Sequence, residues 1–511
     1  MSDDRGGYFP TFGAALARVW NGCFPTIGRA VRWRGWRKIA IGLLALIVVL
    51  GVINVVATVY EGGKVKAKLA ELKAQGVAVS WKEVIPRPVP DAENGAKLYL
   101  QAADIIKARE ANRGAGYDSK DWRDAAKMAV VAKYVAEDAD ALALMKEAAG
   151  RPYAWFNLNW SDPPATLFPH LAKMRNLARF VGSAAIVASE RGDQAEALDD
   201  LRVGFTMSRH VCPEPTLIDQ LVCYAMDAIM VSAAEMVIGK GPLPEDKARA
   251  LNEELGRVDY MAGMEKAMQM ERCFGIYMFD QVRRHPKFIE QTVSPDIAQE
   301  VEVRWRLWAY AYLLRPLAYA DERVYLEHMD RSAAMVGASW RETAGGPTVV
   351  PHEKDNMPRW AVLSGVLTPM FSRASARRDQ AMAMRALVGA AMGVEMYKQK
   401  TGKYPAGLAE VREVGWKVGE DPFSGKELVY KVVGPTYLLY SIGPDLKDDG
   451  GKPGLWQMVE WGLQAPPQIR GGPPGTGRGG SVDNLAGVAG RDAGDLVWMG
   501  TWEAVQKARG G

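Results

Sequence analysis

Cysteine, histidine and excess charge are all scarce in this chain, and each scarcity removes a class of function. Four cysteines in 511 residues are too few for a disulfide framework, and no Cys-x-x-Cys or His-rich spacing suggests zinc. The five histidines, His170, His210, His285, His328 and His352, stand in no zinc-protease spacing, and neither a nucleophile elbow nor a P-loop occurs. Glu327-His328 with Asp330, and His352-Glu353 with Asp355, read as solvated helix faces or loops. Lys and Arg total 64 against 60 Asp and Glu, a formal charge of +4, so no nucleic-acid partner is expected. No catalytic residue and no organic cofactor is assigned, and the chain leans away from being an enzyme.

What is present begins with an uncharged apolar run, residues 39–60, about 33 Å long as a helix and enough to cross a bilayer core. Arg29, Arg32, Arg34, Arg37 and Lys38 precede it without an acid, with Trp33 and Trp36 at interface depth. Basic residues favour the cytoplasmic side, so residues 1–38 are expected as a cytoplasmic tail and everything after Tyr60 as extracytoplasmic. Lys64, Lys66, Lys68 and Lys73 on the far side are diluted by Glu61 and Glu71. A cleaved signal would begin nearer Met1 and end in a small-x-small site; the helix is therefore expected to stay as a single-pass inner-membrane anchor. Cys23 falls in the cytoplasm, leaving Cys212, Cys223 and Cys273 outside. At most one pair can form among these three, and a buried free thiol is expected for each.

Beyond Pro86, Pro88 and Pro90, Asp91 is a candidate N-cap, and helix follows helix to about residue 339. The ranges 122–149, 165–191, 194–210, 215–238, 244–257 and 260–284 carry apolar residues three and four apart, separated mostly by Gly or Pro. Glu190-Arg191-Gly192-Asp193 resembles one tetratricopeptide-like turn, but no fixed period repeats, so an irregular helical array is expected. Residues 152–160 alternate like a strand or extended peptide. Their aromatics either plug the helical core or form a ligand platform. Residues 343–373, rich in Gly and Pro at the start, read as a connector.

A helix over 374–400 follows, with Ala383, Leu387, Ala390, Val394 and Tyr397 on one face and Gly402 as its stop. Then come Tyr404-Pro405, the turn Asp421-Pro422-Phe423-Ser424-Gly425, a hairpin of 428–432 with 437–442, a Gly/Pro-rich insertion over 452–491, and a third strand near 495–499.

This order, with the Asp/Gly-rich stretch from Gly443 to Gly451, resembles the C-terminal globular part of the type II secretion major pseudopilin. The chain as a whole resembles uncharacterised membrane-anchored proteins of planctomycete-type bacteria, in which such an end follows a long helical region. The resemblance implies that the loop binds calcium through Asp445, Asp448 and Asp449, with Asp492 or Asp495 completing the site. Calcium asks for six to eight oxygens at flexible angles; the alternative is an Asx-rich hairpin whose carboxylates cap amides. The Gly-Phe-type processing site and following Glu of pseudopilins do not precede Ile39, so fibre assembly is not implied.

The expected fold is mostly α: a transmembrane helix, an extracytoplasmic helical array over 61–342, and a small α+β end over 374–511 with a short antiparallel sheet. The expected role is an interaction or scaffold protein of the bacterial envelope, anchored through residues 39–60 and holding an envelope or secretion partner. Two alternatives are a component of a type II secretion or pseudopilus-like apparatus, and a membrane-tethered hydrolase of envelope polysaccharide with Trp155 and Trp160 lining its cleft.

Overall fold

The computed structural model describes residues 29–118, 122–161, 166–285, 315–344, 357–358, 360–368, 371–454, 457 and 494–509. The chain divides into two compact units, Met1–Ala67 with Pro286–Ala320, and Lys68–His285 with Asp321–Gly511. The apolar run lies within α1, Arg29–Ala74, a single helix of 46 residues. Its Ile, Leu and Val side chains from Ile39 to Val59 are 53–71 % exposed. Over Trp36–Ala74 it is long and apolar enough to cross a membrane. Leu217–Val237 passes the same test of length and composition, but 67 % of that stretch is buried, as in a soluble core.

The second unit is a helical body with a small sheet. Its helices are α2 (Ala96–Arg113), α3 (Ala125–Glu137), α4 (Ala139–Ala149), α5 (Pro169–Glu190), α6 (Gln194–Val211), α7 (Leu217–Val237), α8 (Glu245–Leu255) and α9 (Tyr260–Arg284). Asp124, Asp193 and Asp259 each accept amide hydrogens at an N-terminus, and Thr216 with Asp219 makes a reciprocal capping box on α7. These caps satisfy amides that the first helical turn leaves unpaired. Helices α5, α6 and α7 pack against one another, and Gly204 permits part of that approach, since a Cβ there would stand 2.3 Å from Met230 Sδ.

Two local expectations are corrected. The range 122–149 is two helices, broken at Asp138, whose buried carboxylate accepts hydrogen bonds from Arg109, Arg113 and Tyr117. Asp91 does not cap α2; it opens a 3-10 turn and pairs with Lys97. Asn94 does that work instead, with its Oδ1 accepting from Ala96 N and from Trp155 N while its Nδ2 donates to Trp155 O. The segment 152–160 is extended, as its alternation implies, with Ala154 and Phe156 buried and Tyr153 53 % exposed.

Helix α10 (Arg315–Val336) and the short helices α11 (Trp340–Ala344) and α12 (Val362–Leu367) lead to α13 (Phe371–Thr401) and α14 (Leu408–Glu413). Asp321 accepts from Leu363 N and Ser364 N, fixing the start of α12. Gly402, with φ +76°, ends α13, its N–H bonded to Lys398 O at 2.7 Å. Strands β1 (Glu420–Asp421) and β2 (Lys426–Glu427) form a hairpin around the Asp421–Gly425 turn. Strands β3 (Val429–Val433), β4 (Thr436–Ser441) and β5 (Leu496–Val497) form an antiparallel sheet in that order, and α15 (Trp502–Arg509) packs beside β4. Most of the 452–491 insertion lies outside the described residues. Gln457 is described, and its side chain makes two hydrogen bonds to the backbone of Val497.

The spacing in α13 predicts one buried face, whereas the helix is buried on nearly all sides from Ala374 to Val394. It packs on α7 and α8, and Arg385, 3 % exposed, is the reason a polar residue sits there. Its guanidinium donates to Asp227 Oδ1 at 2.6 and 3.1 Å, to Ser208 Oγ at 2.6 Å and to Phe205 O at 3.2 Å, and it lies over the rings of Phe205 and Tyr260. Breaking such a buried pair from one side costs about 3–5 kcal/mol, because the other charge stays buried. Arg385→Met is expected to lower the urea-unfolding free energy by that order, and adding Asp227→Leu should recover a large part of the loss.

Candidate functional site

The acidic loop after β4 is organised by backbone amides. Asp445 accepts from Lys447 N at 3.2 Å and from Gly494 N at 3.2 Å. Asp448 Oδ1 accepts from Tyr440 OH at 2.8 Å and Gly450 N at 2.9 Å. Asp495 takes three amides, those of Asp449, Gly451 and Lys452, at 3.2, 2.6 and 3.3 Å. The structure thus brings Asp445, Asp448, Asp449 and Asp495 to one corner, whereas Asp492 lies outside the described residues. Burial, with Asp448 and Asp449 adding like charge, pushes the Asp495 carboxyl up to about 6. Among the described residues, no group of three His, Cys, Asp or Glu side chains is arranged to hold a metal ion.

The aromatic segment forms one wall of a cavity of about 390 Å3, lined by Tyr153, Trp155, His210, Cys212, Glu214 and Lys266 among others. Trp160 instead packs edge-on to Phe168 and against the cluster of Ala78, Val84, Met270 and Cys273. Glu214 sits in the turn between α6 and α7. It is 4 % exposed, and burial, with Asp219 nearby, pushes its carboxyl up to about 8 despite a hydrogen bond from the Phe156 amide. Burial also raises Asp219 to about 6 and Glu271 to about 7. Lys266 Nζ donates to Pro213 O at 2.8 Å, and desolvation lowers its pKa. A buried, neutral carboxylic acid can donate a hydrogen bond or a proton where an ionised one cannot. No motif announced Glu214; its chemistry comes from burial, and the only local signal was the Cys212-Pro213-Glu214-Pro215 break between two apolar runs.

A larger cleft of about 970 Å3 opens between α8, the start of α9, α13 and residues 415–425. It is arginine-rich, but its charges are largely consumed: Arg378 pairs with Asp379, Arg385 with Asp227, Arg249 with Glu245 and Arg257 with Glu254. Arg341 and Lys417 then share the lining with Glu253 and Glu420, a balance that gives no preference for a strongly charged ligand.

Two of the histidines sit in aromatic packing. His170 stacks on Phe156 at 4.2 Å and burial lowers it to about 4, while His210 Nδ1 meets Tyr99 OH at 3.1 Å. Asp330 pairs with Lys68 and Arg272, and Glu327 with Arg323. The cluster at His352 lies outside the described residues.

No family model, curated protein or solved structure matches the chain.

Glu214 supplies a test by pH. The folded chain keeps its proton up to about 8, while an ordinary glutamic acid at 4.5 has lost it; stability therefore falls as pH rises between those values and levels above them. Glu214→Gln keeps the shape and removes this term, so its melting temperature should exceed that of the parent most clearly at pH 8 and converge with it near pH 4.5. Asp219, Glu271, Asp200 and Asp495, all raised by burial, act in the same direction and contribute to the slope that remains.

Proposed function

We propose that the chain is a membrane-anchored, extracytoplasmic interaction protein of the bacterial envelope that holds an envelope or secretion partner through its helical body. The observation that carries this reading is α1, whose aliphatic side chains from Ile39 to Val59 stand more than half exposed along one uninterrupted helix. Apolar area of that kind is stable only when taken out of water, and the hydrocarbon core of a bilayer accepts a helix of this length. The arginines before it support a cytoplasmic N-terminus.

In-cell photo-crosslinking from Tyr153 and Leu167, 53 % and 80 % exposed, is expected to yield a discrete adduct with an envelope protein. Retention of the full chain in membranes washed with alkaline carbonate is the companion result. A chain that washes off, or that gives no adduct from either position, overturns the reading.

A secretion-apparatus role is supported only by the likeness of the α13 and antiparallel-sheet order to the pseudopilin end, and co-purification with a pseudopilin tests it. Calcium belongs to the same proposal. Asp448, Asp449 and Asp495 crowd like charge at one corner, and a divalent cation would relieve that repulsion. At a hundredfold above its dissociation constant calcium should add about 2.7 kcal/mol. Equal melting temperatures in calcium and in chelator remove it.

The polysaccharide hydrolase has one specific observation in its favour, the neutral Glu214 in an aromatic-walled cavity. Asp259, the other carboxylate of that cavity, is spent on capping α9 through Ala262 N. Release of reducing ends from envelope polysaccharide, lost in Glu214→Gln, would favour hydrolysis over binding.

A further inference from the structure

We propose that Cys212 and Cys223 join as an intramolecular disulfide that staples the corner between α6 and α7; its formation in the cell rests on the extracytoplasmic location proposed above. Helix α6 ends at Val211 and α7 begins at Leu217, so the chain reverses within the Cys212–Thr216 turn. That reversal brings both cysteines to one carbonyl: Ser208 O accepts from Cys212 N at 3.0 Å and from Cys223 Sγ at 3.4 Å. Burial, with the Cys212 thiol nearby, pushes the Cys223 thiol up.

The turn is held in this shape independently of any S–S bond. Gln220 Nε2 donates to Cys212 O at 2.7 Å and to Glu214 O at 3.0 Å, while its Oε1 lies 3.7 Å from Cys212 Sγ. A pair already positioned by packing loses little further freedom on closure. Cys273 belongs to a different cluster, with Ala78, Val84 and Met270, and supplies an internal control.

Closure breaks two S–H bonds and forms one S–S bond. Two protons leave, and two electrons pass to an acceptor disulfide, which becomes two thiols. Cys212, 2 % exposed, lines the 390 Å3 cavity and Cys223 does not, so an acceptor disulfide entering there meets Cys212 first and forms a mixed disulfide; Cys223 then displaces the second thiol. The bond would pin the Pro213–Glu214 wall of that cavity to α7.

The test uses the full chain in detergent, reduced and then incubated with oxidised glutathione until its mass is constant. It is then unfolded, alkylated and digested. A linked Cys212–Cys223 peptide, with Cys273 carrying the alkyl label, is the expected result; recovery of both Cys212 and Cys223 as alkylated or glutathionylated peptides overturns the pairing. The oxidised chain should also melt a few degrees above the reduced one, a difference retained in Cys273→Ser and abolished in the Cys212→Ser, Cys223→Ser double variant. Acid quenching of cells before alkylation separates the two premises. Pairing in glutathione but free thiols in cells leaves the staple standing and overturns the extracytoplasmic location.

Discussion

Arg385 is a guanidinium that folding takes entirely out of water, and the second unit is arranged to make that tolerable. A buried charge costs several kcal/mol unless its attraction to a counter-ion and its full set of hydrogen bonds are both realised. Asp227 from α7 supplies the charge, Ser208 and Phe205 from α6 supply a hydroxyl and a carbonyl, and Tyr260 at the start of α9 donates to the same aspartate. Residues far apart in sequence must therefore meet at one point before α13 can be buried. That requirement ties the C-terminal helix to the array, where apolar packing alone would tolerate several registers.

The same device recurs at smaller scale. Asp138 receives Arg109, Arg113 and Tyr117, Asp421 receives Phe423 N, Ser441 Oγ and Ile442 N, and Asp495 receives three loop amides. In each case a carboxylate with up to four acceptor sites collects donors that a turn would otherwise leave unpaired. The sheet shows what this secures: β1 and β2 are two residues each, too short to stand by ladder bonds alone, and Asp421 pins their hairpin to the end of β4. The Asp/Gly-rich corner is read in the same terms, since its aspartates organise backbone whether or not a cation joins them.

The cavity beside α6 and α7 differs in kind. Burial pushes its carboxyl, Glu214, up to about 8, and Tyr153, Trp155 and three prolines share its walls with Arg87, Arg209, Arg257 and Lys266. Cys212 and the half-buried Trp155 share its lining with this carboxyl.

Much of the architecture was legible in the chain. Uncharged length marked α1, apolar spacing marked most helices of the body, Gly402 marked the end of α13, and Val433–Thr436 marked the hairpin between β3 and β4; each depends on neighbours within a few residues, which is why a linear reading finds it. Other features depend on residues brought from far away. Asp138 breaks a helix only because Arg109 and Arg113 reach it, Asn94 displaces Asp91 as the polar anchor only because Trp155 lies alongside, and α13 is buried all round only because α7 and α8 supply a matching surface. Glu214 is an ordinary glutamate until packing removes its water, and Cys212 and Cys223 meet at the Ser208 carbonyl only when α6 and α7 are folded together. Local stereochemistry and hydropathy, carried by the sequence itself, determined the elements and the apolar helix; desolvation and long-range proximity, which exist only in the folded chain, decided which side chains have unusual chemistry.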